Sequence, residues 1–177
     1  MPDVWDEMDE TAGRIEREAR REQAEMEADA HQLHLASRTM VEVAWASMQQ
    51  GDRIRLWWVG GSVAGVPSAA VGDLIVVATE SGAAGVNASV VSAIEVADRS
   101  FGRGSSGDRT VESFIALCRM VEGRPVRVHM VGGRSVEGTL VATAKDHLLL
   151  HASDGDIALA RSQIAAISVA GELFLAL

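Results

Sequence analysis

The stretch that decides the fold is residues 124–169, which read RPVRVHMVGGRSVEGTLVATAKDHLLLHASDGDIALARSQIAAISV. Residues 126–130 alternate apolar and polar side chains, the period-2 pattern of a half-buried strand. The pair Gly132-Gly133 can adopt positive φ and therefore predicts a tight hairpin turn into the next strand. Apolar runs separated by turn residues predict five short strands in all, at residues 125–131, 135–144, 146–152, 157–159 and 164–169.

The same pattern occurs earlier in the chain. Residues 51–61 align with residues 123–133 at an offset of 72, and residues 65–96 align with residues 138–169 at an offset of 73. The aligned identities include the turn glycines, and apolar pairs fill the strand interiors. One register that covers a whole set of five strands indicates internal duplication.

A helix is predicted before each set of strands. Apolar residues recur at helical spacing between residues 111 and 121, before the second set. The opening segment, from Asp3 to about Gln50, has no proline and is rich in Ala, Glu, Arg, Met and Gln, so it is predicted to be one long helix. The predicted fold is α+β and mainly β: a long N-terminal helix followed by two tandem five-stranded small barrels, each preceded by a helix.

The barrel sequences carry a resemblance to a known family. The residues that carry it are residues 123–128, Gly132-Gly133, residues 136–140, residues 148–150, Gly155 and residues 164–167. They resemble the SH3-like small barrel of the Sm-like fold, the family of the Sm and LSm proteins and bacterial Hfq. The chain also resembles a group of uncharacterised bacterial proteins with an acidic N-terminal helix and two such barrels, which implies no activity.

The resemblance implies an oligomer. Sm-like proteins join neighbouring subunits by their strand edges into rings of six or seven positions. One chain would then supply two adjacent positions, and three chains would close a ring of six. Alternatively, the two copies cap each other within a monomer.

Charge and composition divide the chain into four predicted regions. These are an acidic helical arm (1–36), a first barrel with its helix (37–98), a Gly/Ser linker (99–109) and a second barrel with its helix (110–177). The arm holds eleven acidic residues against four arginines, so it carries −7 of the net charge of −9. The rest of the chain is close to neutral, which predicts no general affinity for polyanions.

The arm and one tryptophan are the predicted interaction surface. Trp5, Met8 and Ile15 are the contact residues in the arm, which either binds a protein partner or a second copy, or is a solvated charged helix. Trp57 and Trp58 are adjacent, so in a strand one faces inward and the other outward. An outward Trp57 is either an interface anchor or lies under the long helix, and the second explanation needs no partner.

The RNA binding of the Sm-like family transfers poorly to this sequence. The Asp and Asn of the family's base-contacting loop correspond to Ala144 and Leu148, and the aromatic residue that stacks on the base in Hfq is also missing. Only Arg127, Lys145 and Arg161 remain as predicted nucleic-acid contacts, through phosphate. Stacking contributes about 1–3 kcal/mol per base, so its loss predicts weak binding.

Neither catalysis nor a cofactor is predicted. Cys118 lies on the apolar face of its helix, and the strand histidines pair with no nucleophile. His31 and His34 share a helical face with Glu27, but no further ligand completes a tetrahedral metal site.

The sequence therefore predicts a noncatalytic Sm-like binding and assembly module, a protein-interaction scaffold with an acidic helical arm. The alternative is an RNA-associated, Hfq-like regulator that binds single-stranded nucleic acid weakly. A single cysteine allows no internal disulfide, and the acidic start has no apolar core of a signal segment. No apolar run approaches the ~18 residues of a membrane span, so a cytoplasmic protein is expected.

Overall fold

The computed structural model describes residues 20, 21, 26, 37–100 and 111–170. The chain divides into two compact units, Met1–Arg38 and Thr39–Leu177. Arg20, Arg21 and Met26 are helical in the first unit. All of the described strands belong to the second unit.

The second unit contains two sets of one helix and five strands in its described residues. The first set is α1 (Met40–Gln50), β1 (Arg53–Trp58), β2 (Gly61–Val71), β3 (Leu74–Thr79), β4 (Gly82–Asn87) and β5 (Ala93–Asp98). The second set is α2 (Phe114–Met120), β6 (Pro125–Met130), β7 (Ser135–Thr143), β8 (His147–Ala152), β9 (Gly155–Ala160) and β10 (Ile164–Ala170). A short 3-10 helix precedes the last strand of each set, at Ala88–Val90 and Arg161–Gln163.

The ten strands form one continuous antiparallel sheet in the order β5-β1-β2-β3-β4-β10-β6-β7-β8-β9. Each half therefore has the same internal order, with its fifth strand beside its first. The prediction of two closed barrels is wrong, because β4 of the first half pairs with β10 of the second and the sheet runs through both. The physical reason is that an unpaired strand edge has unsatisfied backbone groups, and β10 satisfies those of β4.

The predicted long N-terminal helix is also wrong, because the chain is not helical at residues 37–39. Helix α1 starts anew after Thr39, which has an extended backbone at φ −74° and ψ 161°. The Thr39 hydroxyl accepts a hydrogen bond from the Glu42 amide at 3.2 Å, and the Glu42 carboxylate accepts one from the Thr39 amide at 2.7 Å. This capping box fixes the helix start. The predicted arm contacts Trp5, Met8 and Ile15 lie outside the described residues.

Strand β3 contributes to two hydrophobic cores. Its Ile75 and Val77 belong to the core of the first half, whereas Leu74 and Val76 pack into the core of the second half. All four side chains are buried, because strand neighbours point to opposite faces and both faces of β3 are covered. The two halves are therefore one packed unit.

Helix α2 covers the junction between the halves. Its Leu117 is fully buried over β4, where a Cβ built on Gly85 would lie 1.9 Å from Leu117 Cδ2. Any side chain at this position of β4 would therefore displace the Leu117 side chain. At the equivalent position of β9, Ala158 is exposed.

We predict that Gly85→Ala destabilises the protein by about 1–3 kcal/mol through overpacking, and that Leu117→Ala does so by about 2–5 kcal/mol. The double variant should lose less stability than the sum of the two, because the new methyl group enters the space that Leu117 vacates. Urea unfolding of the four proteins measures this coupling. Additive losses would contradict the contact of Leu117 with Gly85.

Candidate assembly interface

The pairing of β4 with β10, here called the seam, shows how one half of this protein binds another. Its register places Ala166 opposite Val86 and Ala170 opposite Gly82. On β10, the side chains of residues 164–167 are fully buried, because Ile164 and Ile167 pack into the core of the second half and Ala165 and Ala166 into that of the first. The seam is therefore a complete strand-to-strand interface.

A second contact between the halves joins their glycine turns. The Gly132 amide donates a hydrogen bond to the Val59 carbonyl at 2.7 Å, and Gly60 lies against Gly133. A Cβ built on Gly60 would lie 2.3 Å from the Gly133 nitrogen, and Gly60 has a φ of +88°. Both the positive φ and the close backbone approach require glycine here.

The sheet ends in two strands, β5 and β9, each paired on one side only, and these are the repeat equivalents of the two seam strands. The offset of 73 makes β5 the counterpart of β10. Val96 is 39% exposed, whereas its counterpart Val169 is only 5% exposed. Likewise Ile157 on β9 is half-buried, whereas its counterpart Ala84 on β4 is fully buried. Strands that are covered at the seam are thus bare at the two open edges.

The β5 edge is acidic, and one of its carboxylates, Glu95, has partners on β1. Arg55 lies opposite Glu95 in the strand register, whereas Arg53, which lies opposite Asp98, forms its ion pair with Glu80. The Trp57 indole N–H donates a hydrogen bond to Glu95 Oε2 at 3.2 Å, and the Arg55 guanidinium lies 5.5 Å from the Trp57 ring centroid. Opposite charges across a strand pair are favourable. They reduce the net charge that β5 presents.

The β9 edge carries histidine and carboxylate side chains. His151 on β8 lies opposite Asp156 on β9, and their side chains are 2.7 Å apart between Nδ1 and Oδ1. Both side chains are exposed. This edge is therefore more polar than β4, which has Ala83 at the position of Asp156.

An open groove of about 980 Å³ lies between the two halves. Both of its arginines are paired: Arg53 contacts Glu80 at 3.1 Å, and Arg127 Nε donates a hydrogen bond to Glu137 Oε1 at 2.7 Å. His129 also lines this groove. Because each arginine is balanced by a glutamate, the groove is not built for a strongly charged ligand.

His129 is held at the seam by polar contacts. Its Nε2 is 2.9 Å from the Ser168 hydroxyl of β10, and its Nδ1 is 3.2 Å from the Ser135 hydroxyl. Burial, together with the nearby charge of Arg127, lowers the pKa of His129 below its ordinary value. The neutral imidazole is therefore the form that fits the folded seam.

The three predicted phosphate contacts fall in two places. Arg127 is paired with Glu137, so its charge is compensated. Lys145 and Arg161 lie in neighbouring segments, since the Arg161 amide donates a hydrogen bond to the Asp146 carbonyl at 2.8 Å. A hydrogen bond with His147 lowers the pKa of Asp146, so a carboxylate lies beside the two basic residues.

The adjacent tryptophans divide as the sequence predicted, with Trp58 5% exposed and Trp57 39% exposed. Trp57 is accessible on β1, next to the β5 edge. It therefore lies beside one open edge of the sheet. The edge residues Val96 and Ile157 were not predicted from the sequence, because their exposure depends on the order of the strands.

The described residues include one cysteine, Cys118, which is buried. Burial raises the pKa of the Cys118 thiol to about 12, so this thiol is not a nucleophile at neutral pH. No three His, Cys, Asp or Glu side chains within the described ranges are grouped so that they could hold a metal ion. No helix in the part of the chain that the structure describes is long and apolar enough to cross a membrane.

Comparison with known proteins finds no matching family model, no similar curated protein and no similar solved structure. The Sm-like resemblance therefore stays a prediction.

We predict that the protein loses stability as the pH falls below about 6.5, in part through His129. The pKa of His129 is lower in the folded state, so the unfolded chain takes up this proton first and acid favours unfolding. Urea unfolding at several pH values should show a smaller decrease for His129→Gln than for the wild type. At pH 8 the imidazole of His129 is neutral in both the folded and the unfolded protein, so measurements there give the pH-independent effect of the substitution on stability. Equal pH dependence in the two proteins would contradict the prediction.

Proposed function

We propose that this protein is a noncatalytic binding and assembly module whose copies join head to tail, with β9 of one chain pairing with β5 of the next. The observation that carries the proposal is the seam. The same two repeat positions are paired inside the chain and left bare at its two ends.

The seam supplies the register of the proposed contact. Adding 73 to each β4 number and subtracting 73 from each β10 number gives the corresponding pairs on the open edges. These are Ala93 with Leu159, Ile94 with Ala158, Glu95 with Ile157, Val96 with Asp156, and Ala97 with Gly155. Such pairing would satisfy the backbone N–H and C=O groups that an unpaired edge presents.

The proposed contact is heterologous, because two different edges meet. Such contacts either close into a ring or extend as a filament, depending on the rotation between neighbours. We also propose that the acidic arm of residues 1–36 binds a protein partner, with Trp5, Met8 and Ile15 as its contacts. A cytoplasmic location belongs to the same proposal, in keeping with a single cysteine that is buried.

The charges at the edges make this association weak at low ionic strength. Extending the register by one residue places Asp98 opposite Asp154. Like charges directly opposite each other are destabilising, and salt screens them. Self-association should therefore strengthen as salt is added.

We predict that the variant Val96→Cys/Asp156→Cys forms disulfide-linked multimers under mild oxidation, because the two positions are directly opposed in the proposed register. Opposed residues in an antiparallel pair have Cα separations of about 4.5–5.5 Å, which suit a disulfide. Buried Cys118 can stay in place. Non-reducing gel electrophoresis and multi-angle light scattering measure the products.

The matched control is Val96→Cys/Ala158→Cys, which is two residues out of register and should cross-link less. Each single variant should form dimers at most. A wild-type protein that stays strictly monomeric at high salt and tens of micromolar, together with equal cross-linking of the two pairs, would reject the proposal.

Single-stranded RNA is the second candidate ligand, favoured by the proximity of Lys145 and Arg161. No ion pair among the described residues involves either side chain. Phosphate binding weakens with salt, whereas the proposed self-association strengthens with it. The sign of the salt dependence therefore separates the two activities.

We predict weak binding of single-stranded RNA at low salt, with Arg161→Ala reducing the slope of log affinity against log salt by about 1. Arg134→Ala removes the same charge from an exposed turn and should leave that slope nearly unchanged. Fluorescence anisotropy of a labelled oligonucleotide measures both. The absence of binding at low salt would end the RNA candidate.

A further inference from the structure

Helix α1 leaves two large apolar side chains exposed, Trp45 and Met40, which are five residues apart and therefore lie on different sides of the helix. It buries Ala44, Ser47 and Met48 against the sheet. Trp45 is 49% exposed and Met40 is 37% exposed. A large exposed tryptophan on a helix is a typical anchor of a protein interface.

The corresponding helix of the second half shows how such a face is covered. Continuing the offset of 72 from Gly51 and Gly123 into the helices pairs Trp45 with Leu117. Leu117 is fully buried, and it lies over Gly85 of the first half. Helix α2 of the second half is therefore covered by strands of the first half.

A backbone hydrogen bond strengthens that contact. The Phe114 amide at the start of α2 donates to the Asp73 carboxylate of the first half at 2.8 Å. The repeat counterpart of Asp73 is Asp146, whose side chain is 84% exposed. The Asp146 carboxylate contacts His147 at 2.7 Å, and the surface of the second half that corresponds to the α2 contact is exposed at this point.

We infer that α1 of one chain docks, through Trp45, on the β8–β9 hairpin of the neighbouring chain. This inference rests on the proposed head-to-tail assembly, because the same hairpin provides the β9 edge. At the seam, α2 and β10 likewise contact the same β3–β4 hairpin of the first half.

The receiving surface suits a tryptophan. On the first half, the surface that receives Leu117 consists of Leu74, Val76, Ala83 and Gly85. The offset of 73 gives the corresponding residues of the second half, which are His147, Leu149, Asp156 and Ala158. The first set is apolar and receives a leucine. The second set mixes polar and apolar groups, and an indole offers both an apolar ring and an N–H donor.

The test compares self-association of Trp45→Ala, Ala158→Glu and the wild type by sedimentation equilibrium at high salt. Each substitution should weaken association at least tenfold, since one removes the anchor and the other places a charge where it docks. Val141→Ala is the control, because Val141 is 48% exposed on β7, away from both edges, and should leave association unchanged. Circular dichroism melting checks that all variants fold.

The two proposals fail in different ways. If the wild type does not associate and the variant Val96→Cys/Asp156→Cys does not cross-link, the head-to-tail assembly itself is rejected. If the wild type associates and that variant cross-links, but Trp45→Ala and Ala158→Glu associate as tightly as the wild type, only the helix docking is overturned.

Discussion

The antiparallel pairing of β4 with β10 is the interaction on which the rest of this structure depends. It satisfies the backbone groups of two strand edges, positions α2 over Gly85 and brings the two glycine turns together. It also buries Leu74 and Val76 of the first half in the core of the second. Neither half has a complete core without the other, so the duplicated sequence folds as one unit.

The same interaction creates an asymmetry between the two ends of the chain. The fourth strand of the first half, β4, pairs with the fifth strand of the second half, β10. The corresponding strands β9 and β5 are left at the two ends of the sheet. The remaining surfaces are more polar than their seam counterparts, as His147 and Asp156 show beside Leu74 and Ala83. In the proposed assembly, these polar groups make the association reversible.

Local elements were predictable from the sequence, whereas the pairing that joins them was not. Turn glycines and the repeat register located the strands, because both act over a few residues. The shared sheet depends on strands far apart in the chain. In the structure, four consecutive residues of β3 are buried, whereas burial alternates over residues 147–150 of β8. In the sequence, the two segments differ in pattern only by His147 at the position of Leu74. The break before α1 was missed because helix-favouring composition concealed the capping pair Thr39 and Glu42. Among the phosphate candidates, the partner of Arg127 is Glu137, directly opposite it across the β6–β7 hairpin.

The sequence separation across the seam has a consequence for how the chain is made. Val86 and Ala166 pair although about eighty residues separate them. During synthesis the first half is complete long before β10 emerges, so β4 is transiently without its partner. A second nascent chain nearby can donate its own β10 instead, which gives an exchanged dimer with the same pairing. Dilution and slow expression favour the intramolecular product, because closing a loop within one chain does not depend on concentration.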